Sequence, residues 1–383
     1  MRKIRVLHLA RDDKFFDGAF LSFESDERFQ NYAVLSVRNV DNYKVSYIKQ
    51  TEKLVLLDEI GMSNYLREGQ YDVVFFHTLA PSSYKYFCYI PKGKIIIWWC
   101  WGFEIYGGYM GMPPIVPFKK SYLPLTEKLG PESPHTLKEC LKSVKYSFHK
   151  CRNIIMLKKI LPRIDFYQPV LPIEFQMMKH VQGFKAKEFY HPASFSKRKL
   201  ENNSLLSNGA ILFGNSATYS NNHLDVWERI RPFIPNSRTV ILPISYGNKR
   251  YAQQLKKRIS STKHNIKFLV DMLSRADYFN LINECSYAVY GVLRQQALGN
   301  IYQMLQKGVK VFLYKESLVY KDLVENGFVV YAIDDINEHS FITPLTKEEL
   351  ERQAVAFDKR RDYVVKTRNS AINKIISLVN ESN

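Results

Sequence analysis

The sequence predicts an α/β protein made of two parallel-sheet halves. Three observations carry that prediction. The chain has 383 residues, too many for one ordinary domain and about right for two. Short apolar runs recur along it, each followed by a polar loop and a helix-period segment, the alternation that builds a parallel sheet with crossover helices. Over 194–208 this pattern stops in a stretch rich in Lys, Ser and Asn, which reads as a linker. The division that follows is a first domain over 1–195, a second over 208–345, and a terminal helix over 346–383.

In the first half, 4–9 reads as a buried strand, with His8 packed at its end. Arg11-Asp12-Asp13-Lys14 is the polar loop after it, and 15–23 reads as helix. Asp12 therefore stands at the carboxyl end of the first strand, where it serves either a site or a loop cap. A strand over 32–37 and a helix over 59–68 follow. Tyr71-Asp-Val-Val-Phe-Phe-His77 is a buried strand ending in a histidine, a candidate general base or substrate donor as well as a structural residue. The strongest strand, 94–99, runs into Trp98-Trp99-Cys100-Trp101-Gly102-Phe103-Glu104-Ile105-Tyr106. Indole rings suit sugar faces as well as packing. Gly102 permits a tight turn that presents Glu104, which reads either as a carboxylate base or as an acid at a helix N-terminus.

The stretch 112–134 is proline-rich and reads as an extended loop or lid. Over 137–161 an apolar stripe (Leu137, Leu141, Val144, Phe148, Cys151, Ile155) runs beside a basic one (Lys138, Lys142, Lys145, His149, Arg152). Such a helix suits either an anionic membrane surface or a solvated face above a core. Short strands near 163–169 and 187–192 close the half.

The second half opens on a strand over 210–213 and the turn Gly214-Asn215-Ser216, with a helix from about 222. A turn of this kind offers donors to a phosphate, but it is neither a Walker loop nor a Gly-x-Gly-x-x-Gly. A strand over 239–243 leads into Ser245 and Tyr246. Helix 251–259, strand 266–270 and a helix opened by Ser274 and Asp277 come next. Tyr287 to Tyr290 is then a buried strand, Arg294-Gln295-Gln296 its exit loop, 301–306 a helix and 309–313 the next strand. In a parallel sheet this puts Arg294 beyond the carboxyl end of a strand, where ligands bind. Its fork of donors suits phosphate oxygens, as does the helix N-terminus beside it; capping of neighbouring carbonyls is the other reading. Thr346 and Glu349 form a capping box before the last helix, 347–378.

Composition narrows the function. Hydrophobic residues make up 46% and charged residues 24%, as in a globular protein. Lys plus Arg number 55 against 37 acids, a formal charge of +18, which points to nucleic acid, anionic lipid or a phosphorylated substrate. No RRM, KH or zinc motif supports nucleic acid. Cys88, Cys100, Cys140, Cys151 and Cys285 are scattered, so neither a zinc site nor a disulfide framework is expected; their odd number and the strand-like start suit a reducing cytoplasm. No apolar run is long enough to span a bilayer. Two α/β halves facing a cleft, with no Asp-x-Asp at a strand end, fit a metal-independent GT-B glycosyltransferase with a terminal helix crossing back.

The motifs also resemble a known family, the bacterial 4-alpha-L-fucosyltransferases. Ile97-Trp98-Trp99-Cys100-Trp101-Gly102-Phe103-Glu104-Ile105-Tyr106 is similar to that family's strand and Trp-Gly-x-Asp-x-Tyr motif. Ile211-Leu-Phe-Gly214-Asn215-Ser216 with Ser220-Asn221-Asn222-His223 resembles its Val-Gly-Asn-Ser loop and Ser-Asn-x-His. Leu242-Pro243-Ile244-Ser245-Tyr246 resembles its Val-Pro-Met-Gly-Tyr, and Arg294-Gln295-Gln296 with Gly299 its Arg-Gln-Gln-x-x-Gly. Glu104 stands where the family has Asp, Ser245 where it has Gly, and 112–161 has no counterpart. The resemblance implies an inverting transfer of a deoxyamino sugar such as 4-acetamido-4,6-dideoxygalactose (Fuc4NAc), from a dTDP-linked nucleotide-sugar to a lipid-diphosphate-linked saccharide. No cofactor and no bound metal are expected, and the basic amphipathic stretch 137–161 suits a place on the inner face of the membrane. Donor contacts fall on Gly214, Asn215, Ser216, Asn222, His223, Pro243, Ser245, Tyr246, Arg294, Gln295, Gln296 and Gly299. Acceptor contacts fall on Asp12, Trp99, Trp101 and Tyr106, and Glu104, then His77, are the candidate bases. A capsule or lipopolysaccharide glycosyltransferase with another donor and acceptor is the alternative.

Overall fold

The computed structural model describes residues 2–13, 16–24, 26–107, 114–116, 118, 121–129, 137–190 and 209–381, without the side chains of 137–146 and Arg275. The chain forms two compact units. The first is Met1–Pro117, Pro134–Phe195 and Asp362–Asn383; the second is Phe118–Ser133 and Ser196–Arg361. The sequence reading placed all of 112–161 in the first domain and the last helix apart. In the structure 118–133 belongs to the second unit, and the last helix is divided between both. The linker read at 194–208 lies outside the described residues.

The first unit contains β1 (Ile4–Leu9), α1 (Phe16–Glu24), β2 (Phe29–Ser36), β3 (Leu54–Leu57), α2 (Glu59–Glu68), β4 (Val73–Phe76), β5 (Ile95–Trp99) and α3 (Phe103–Tyr106). The short α4 (Pro124–Glu127) counts with the second unit. The first unit resumes with α5 (Leu137–Ile160), β6 (Phe166–Gln168), α6 (Pro172–Lys179) and β7 (Lys187–Glu188). Its seven strands lie in the order β3-β2-β1-β4-β5-β6-β7, and every pairing is parallel. All five residues of β5, Ile-Ile-Ile-Trp-Trp, are buried, as a strand covered by helices on both faces must be.

The second unit holds β8 (Ala210–Phe213), α7 (His223–Ile230), β9 (Thr239–Pro243), α8 (Lys249–Ile259), β10 (Asn265–Leu269), α9 (Arg275–Asn283), β11 (Cys285–Tyr290), α10 (Leu298–Gln306), β12 (Lys310–Leu313), α11 (Leu318–Glu325) and β13 (Tyr331–Ala332). Its sheet runs β10-β9-β8-β11-β12-β13, again all parallel. The core gathers Trp227 and Ile230 of α7 with Phe213, Leu242 and Val289 of the strands. Helix α12 (Lys347–Glu381) ends the chain. Thr346 and Glu349 make the expected capping box: Thr346 N–H donates to Glu349 Oε2 at 2.8 Å, and Glu349 N–H to Thr346 Oγ1 at 3.2 Å. Phe357 of α12 packs on Phe328 and Tyr302 in the second unit. Ala371, Ile372, Ile375 and Val379 enter the first unit's core.

Both sheets share one consequence. In each, the chain lays two strands to one side of its first strand and then crosses to the other, so the order reverses between β1 and β4 and between β8 and β11. A crevice opens at such a reversal, at the carboxyl ends of the strands.

Candidate active site

In the second unit the exit loops of β8 and β11 flank the reversal. Gly214 turns the chain with φ +71°, and a Cβ there would collide with the His223 imidazole. Gly291 is equally constrained, because a Cβ would run into the Asn221 carbonyl. The two loops are fastened to each other. Asn222 Nδ2 donates to the Gly291 carbonyl at 2.7 Å, Gln296 Nε2 donates to Thr218 Oγ1 at 3.1 Å, and Ser220 Oγ donates to Gln296 Oε1. Inside the first loop Asn221 Nδ2 holds Ser216 O and Thr218 Oγ1. The exit loop of β9 joins them through Asn215 Nδ2, which donates to Tyr246 Oη at 3.1 Å, and through Ala217 N–H, which donates to the Tyr246 carbonyl at 2.8 Å.

Arg294 lies half-buried in this group and donates through Nη1 to the Gln295 carbonyl at 3.0 Å. Ala297 follows in the left-handed region, φ +59°, as the N-cap of α10, and contributes no side-chain cap. The first turn of α10 thus presents backbone N–H groups with no capping side chain, and Gly299 within it has open space where a Cβ would be. Uncapped N–H groups beside a guanidinium suit an anion. Gly214, Asn215, Ser216, Ser245, Tyr246, Arg294, Gln295, Gln296 and Gly299 all fall on the exit loops of β8, β9 and β11 or on the first turn of α10.

Three residues assigned to the donor need correction. His223 has no exposed surface: Nδ1 pairs with Tyr251 Oη at 3.0 Å, and burial lowers its pKa to about 3. Asn222 is also fully buried, spending its amide on Leu123 N–H, Ser121 O and Gly291 O. Pro243 is the buried last residue of β9 and has no N–H to offer. These residues shape the loops from behind.

In the first unit Glu104, the first candidate base, also needs correction. It has no exposed surface. Its Oε1 accepts from Leu79 N–H at 3.1 Å, Trp98 Nε1 at 3.2 Å and Thr78 Oγ1 at 3.3 Å, and its Oε2 from Trp101 N–H at 2.7 Å. Burial raises its pKa against the pull of those donors. A carboxylate so occupied pins the β4 and β5 exit loops together. His77 is buried too, but differently. Its Nε2 meets His8 Nδ1 at 2.8 Å, and His8 Nε2 meets Asn31 Oδ1 at 3.1 Å, while His77 Nδ1, itself buried, has no hydrogen-bond partner among the described residues. Burial and the neighbouring His8 hold its pKa well below the usual value.

The acceptor candidates divide. Asp12 accepts from the N–H groups of Ser46, Tyr47 and Ile48 and from Tyr43 Oη; partial burial works against ionisation, but these bonds hold its pKa low, and the carboxylate serves as a loop cap. Trp99 is buried, stacked between His77 and Trp101. Trp101 and Tyr106 keep part of their surface exposed. Tyr106 Oη donates to Glu174 Oε1 at 2.8 Å; burial raises the Glu174 carboxyl to about 7. Sequence reading missed Glu174, as it missed Thr218, Ser220 and the His8–Asn31 pair. Apart from Ser220, which lies in the Ser220-Asn221-Asn222-His223 stretch, none of these stands in a motif, and each acts through a partner far away in the chain.

The profile of the family described as 4-alpha-L-fucosyltransferase, glycosyl transferase group 56, matches residues 170–371, more than half of the chain. The chain belongs to this family. The match spans every loop of the second-unit site, from Gly214 to Gly299, together with Glu174. The fold is that of GT-B glycosyltransferases. Trehalose 6-phosphate synthase from Burkholderia multivorans superposes with a TM-score of 0.60 at 9% identity, covering 100% of this chain and 98% of that one. The lipopolysaccharide outer core galactosyltransferase WaaB, in its apo form, gives 0.53 at 12% identity, covering 98% and 99%. Anabaena HepE, solved with UDP and glucose, gives 0.50 at 10% identity, covering 99% and 98%. As a family member the protein is a glycosyltransferase, and its Arg294-Gln295-Gln296 loop lies at the sheet reversal of a GT-B unit.

Among the described residues no group of three or more His, Cys, Asp and Glu side chains is placed to hold a metal ion. No described helix is long and apolar enough to cross a membrane. On α5 the apolar stripe read from the sequence turns outward where its side chains are described. Phe148 is 69% and Ile155 56% exposed, Cys151 is exposed between them, and Leu157 and Ile160 supply the buried contacts instead.

Proposed function

We propose that this glycosyltransferase moves a deoxyamino sugar of the Fuc4NAc type from a dTDP-linked donor to a lipid-diphosphate-linked saccharide, with inversion and without a metal. The observation that carries the reading is the Arg294 loop followed by the uncapped N-terminus of α10, at the sheet reversal and inside the region matched to the family. The donor diphosphate lies against these groups. As the glycosidic bond breaks, negative charge grows on the departing diphosphate. Arg294, the α10 N–H groups and the amides of Asn215 and Gln296 stabilise it, in the role a metal plays elsewhere. Tyr246, partly exposed on the β9 exit loop, stacks on the nucleotide base.

The first unit takes the acceptor, with Trp101 and Tyr106 at its surface. His77 is the base: its Nδ1, without a hydrogen-bond partner among the described residues, is a proton acceptor, and burial keeps the ring neutral at physiological pH. The acceptor hydroxyl loses its proton to Nδ1 as its oxygen attacks the anomeric carbon and the nucleoside diphosphate leaves. The outward apolar stripe of α5, flanked by Arg152, Lys158 and Lys159, supports contact with an anionic membrane on its inner face.

The test is nucleoside diphosphate release in the presence of EDTA, from dTDP-, UDP- and GDP-linked sugars, with a polyprenyl-diphosphate saccharide as acceptor. The dTDP-linked amino sugar should turn over, and His77→Ala should reduce kcat by about 100-fold or more. Turnover of only UDP- or GDP-linked sugars, or abolition by EDTA, would overturn the donor or the metal-independent reading respectively.

A further inference from the structure

The first unit carries its own crevice at the sheet reversal. A cavity of about 680 Å³ lies over the carboxyl ends of β1, β2 and β4, within the size range of small-molecule sites. Its floor is apolar, with Leu35, Met62 and Phe76. Its rim is cationic, and each of the three adjacent exit loops brings one cation. Arg11 comes from the exit of β1, Arg38 from that of β2, and Lys85 from the turn after β4. Among the described residues the one carboxylate on the wall, Glu59, is paired with Lys85, so the rim keeps a net positive charge. Arg38 is exposed and makes no hydrogen bond or ion pair with the described residues, while Arg11 lies over the Phe103 ring at 5.6 Å. The N-terminus of α2, also on the wall, is closed by Asp58, whose carboxylate accepts from Gly61 N–H at 2.7 Å. An anion entering here must therefore be held by the arginines.

We propose that this cavity seats a phosphate ester on the acceptor, with Arg38 and Arg11 on its oxygens and the apolar floor under the group it esterifies. The assignment rests on the reading of the first unit as the acceptor half. It adds two specificity residues to that half, Arg11 and Arg38, neither of which lies near the Trp-Gly motif in sequence. A planar guanidinium gives paired donors to phosphate oxygens, and an apolar floor rewards a sugar face or a lipid chain.

Calorimetric titration tests it with four probes: glucose, glucose 1-phosphate, farnesyl diphosphate in detergent micelles, and dTDP. Wild type, Arg38→Glu and Arg294→Ala are compared. Arg38 is exposed, so Arg38→Glu should melt as wild type does. Wild type should bind a phosphate ester and not glucose, and Arg38→Glu should weaken that binding tenfold or more while leaving dTDP affinity intact. Preference for farnesyl diphosphate makes the ester lipid-linked; preference for glucose 1-phosphate makes it soluble; both support the cavity. The proposal falls if Arg38→Glu binds as wild type does, if neither ester binds, or if ester binding disappears with Arg294→Ala alone. Failure of wild type to bind dTDP, with ester binding still dependent on Arg38, would overturn the donor site and not this one.

Discussion

Glu104 and His77 are both buried beside the first unit's site, yet hydrogen bonding gives them opposite roles. Between them the two oxygens of Glu104 are committed to donors of the β4 exit loop, the end of β5 and the β5 exit loop. In Glu104→Gln one oxygen becomes an NH2 facing N–H groups, which should cost about 1–3 kcal/mol, the penalty for a buried donor left unsatisfied. Melting should show that loss, while kcat at a permissive temperature should stay within about tenfold of wild type; a true base would lose 100-fold or more. The buried imidazoles give a pH prediction. His8, held near 4 by burial, and His223, held near 3, stay neutral in the folded chain. The unfolded chain takes up their protons below about pH 6.5, so the stability they contribute is full above that value and is lost as pH falls. Glu174, raised to about 7, acts in the other direction: its contribution is full below the unfolded value near 4.5 and is lost as pH rises through 7. The difference in Tm between Glu174→Gln and wild type should therefore move in favour of the variant from pH 5 to pH 8. A constant difference would mean Glu174 does not titrate in that range.

At the scale of elements, two non-glycine residues among those described adopt left-handed backbone, Asn222 at φ +50° and Ala297 at φ +59°. Each is an N-cap following a loop of the second-unit site, at α7 and α10. Alanine pays about 1–2 kcal/mol there. Ala297→Gly should raise stability by up to about 1 kcal/mol after the entropy cost of glycine, and Ala297→Val should lower it; melting of both variants decides. Strain of this kind was illegible in the sequence, because alanine gives no sign of its φ. The regular elements were legible where burial on both faces made strands uniformly apolar, as in β5 and β11, and where caps were explicit, as at Ser274 and Thr346. Strand β3 was missed because a four-residue strand at the sheet edge, only partly buried, lacks that signature. Helix α6 was missed because its Pro172 start reads as a break, although proline suits a helix's first turn. The stripe on α5 was read with its period right and its direction undecided, since spacing alone does not say which face is covered. The loop residues of the candidate site were legible as motifs, and the bonds that fasten the loops were not, because Gln296 and Ser220 meet only after folding.

At the scale of the molecule, the same strand order appears twice, and each sheet reversal is furnished with positive charge. The excess of 55 Lys and Arg over 37 acids thus has places to act, at the two proposed phosphate sites and along α5. Replacing Phe148 and Ile155 together by Asp should weaken binding to vesicles containing anionic lipid at least fivefold in sedimentation, with little change in Tm, because both side chains are exposed. Unchanged sedimentation would remove α5 as the membrane face. The central claim, a nucleoside diphosphate held at the reversal of the second sheet, has the most direct test. It is isothermal titration of dTDP, UDP and GDP into metal-free wild type and Arg294→Ala. The account predicts selective binding of dTDP by wild type, weakened about 10- to 100-fold in the variant, the worth of a charged hydrogen-bond donor. Equal affinity in both proteins would contradict it.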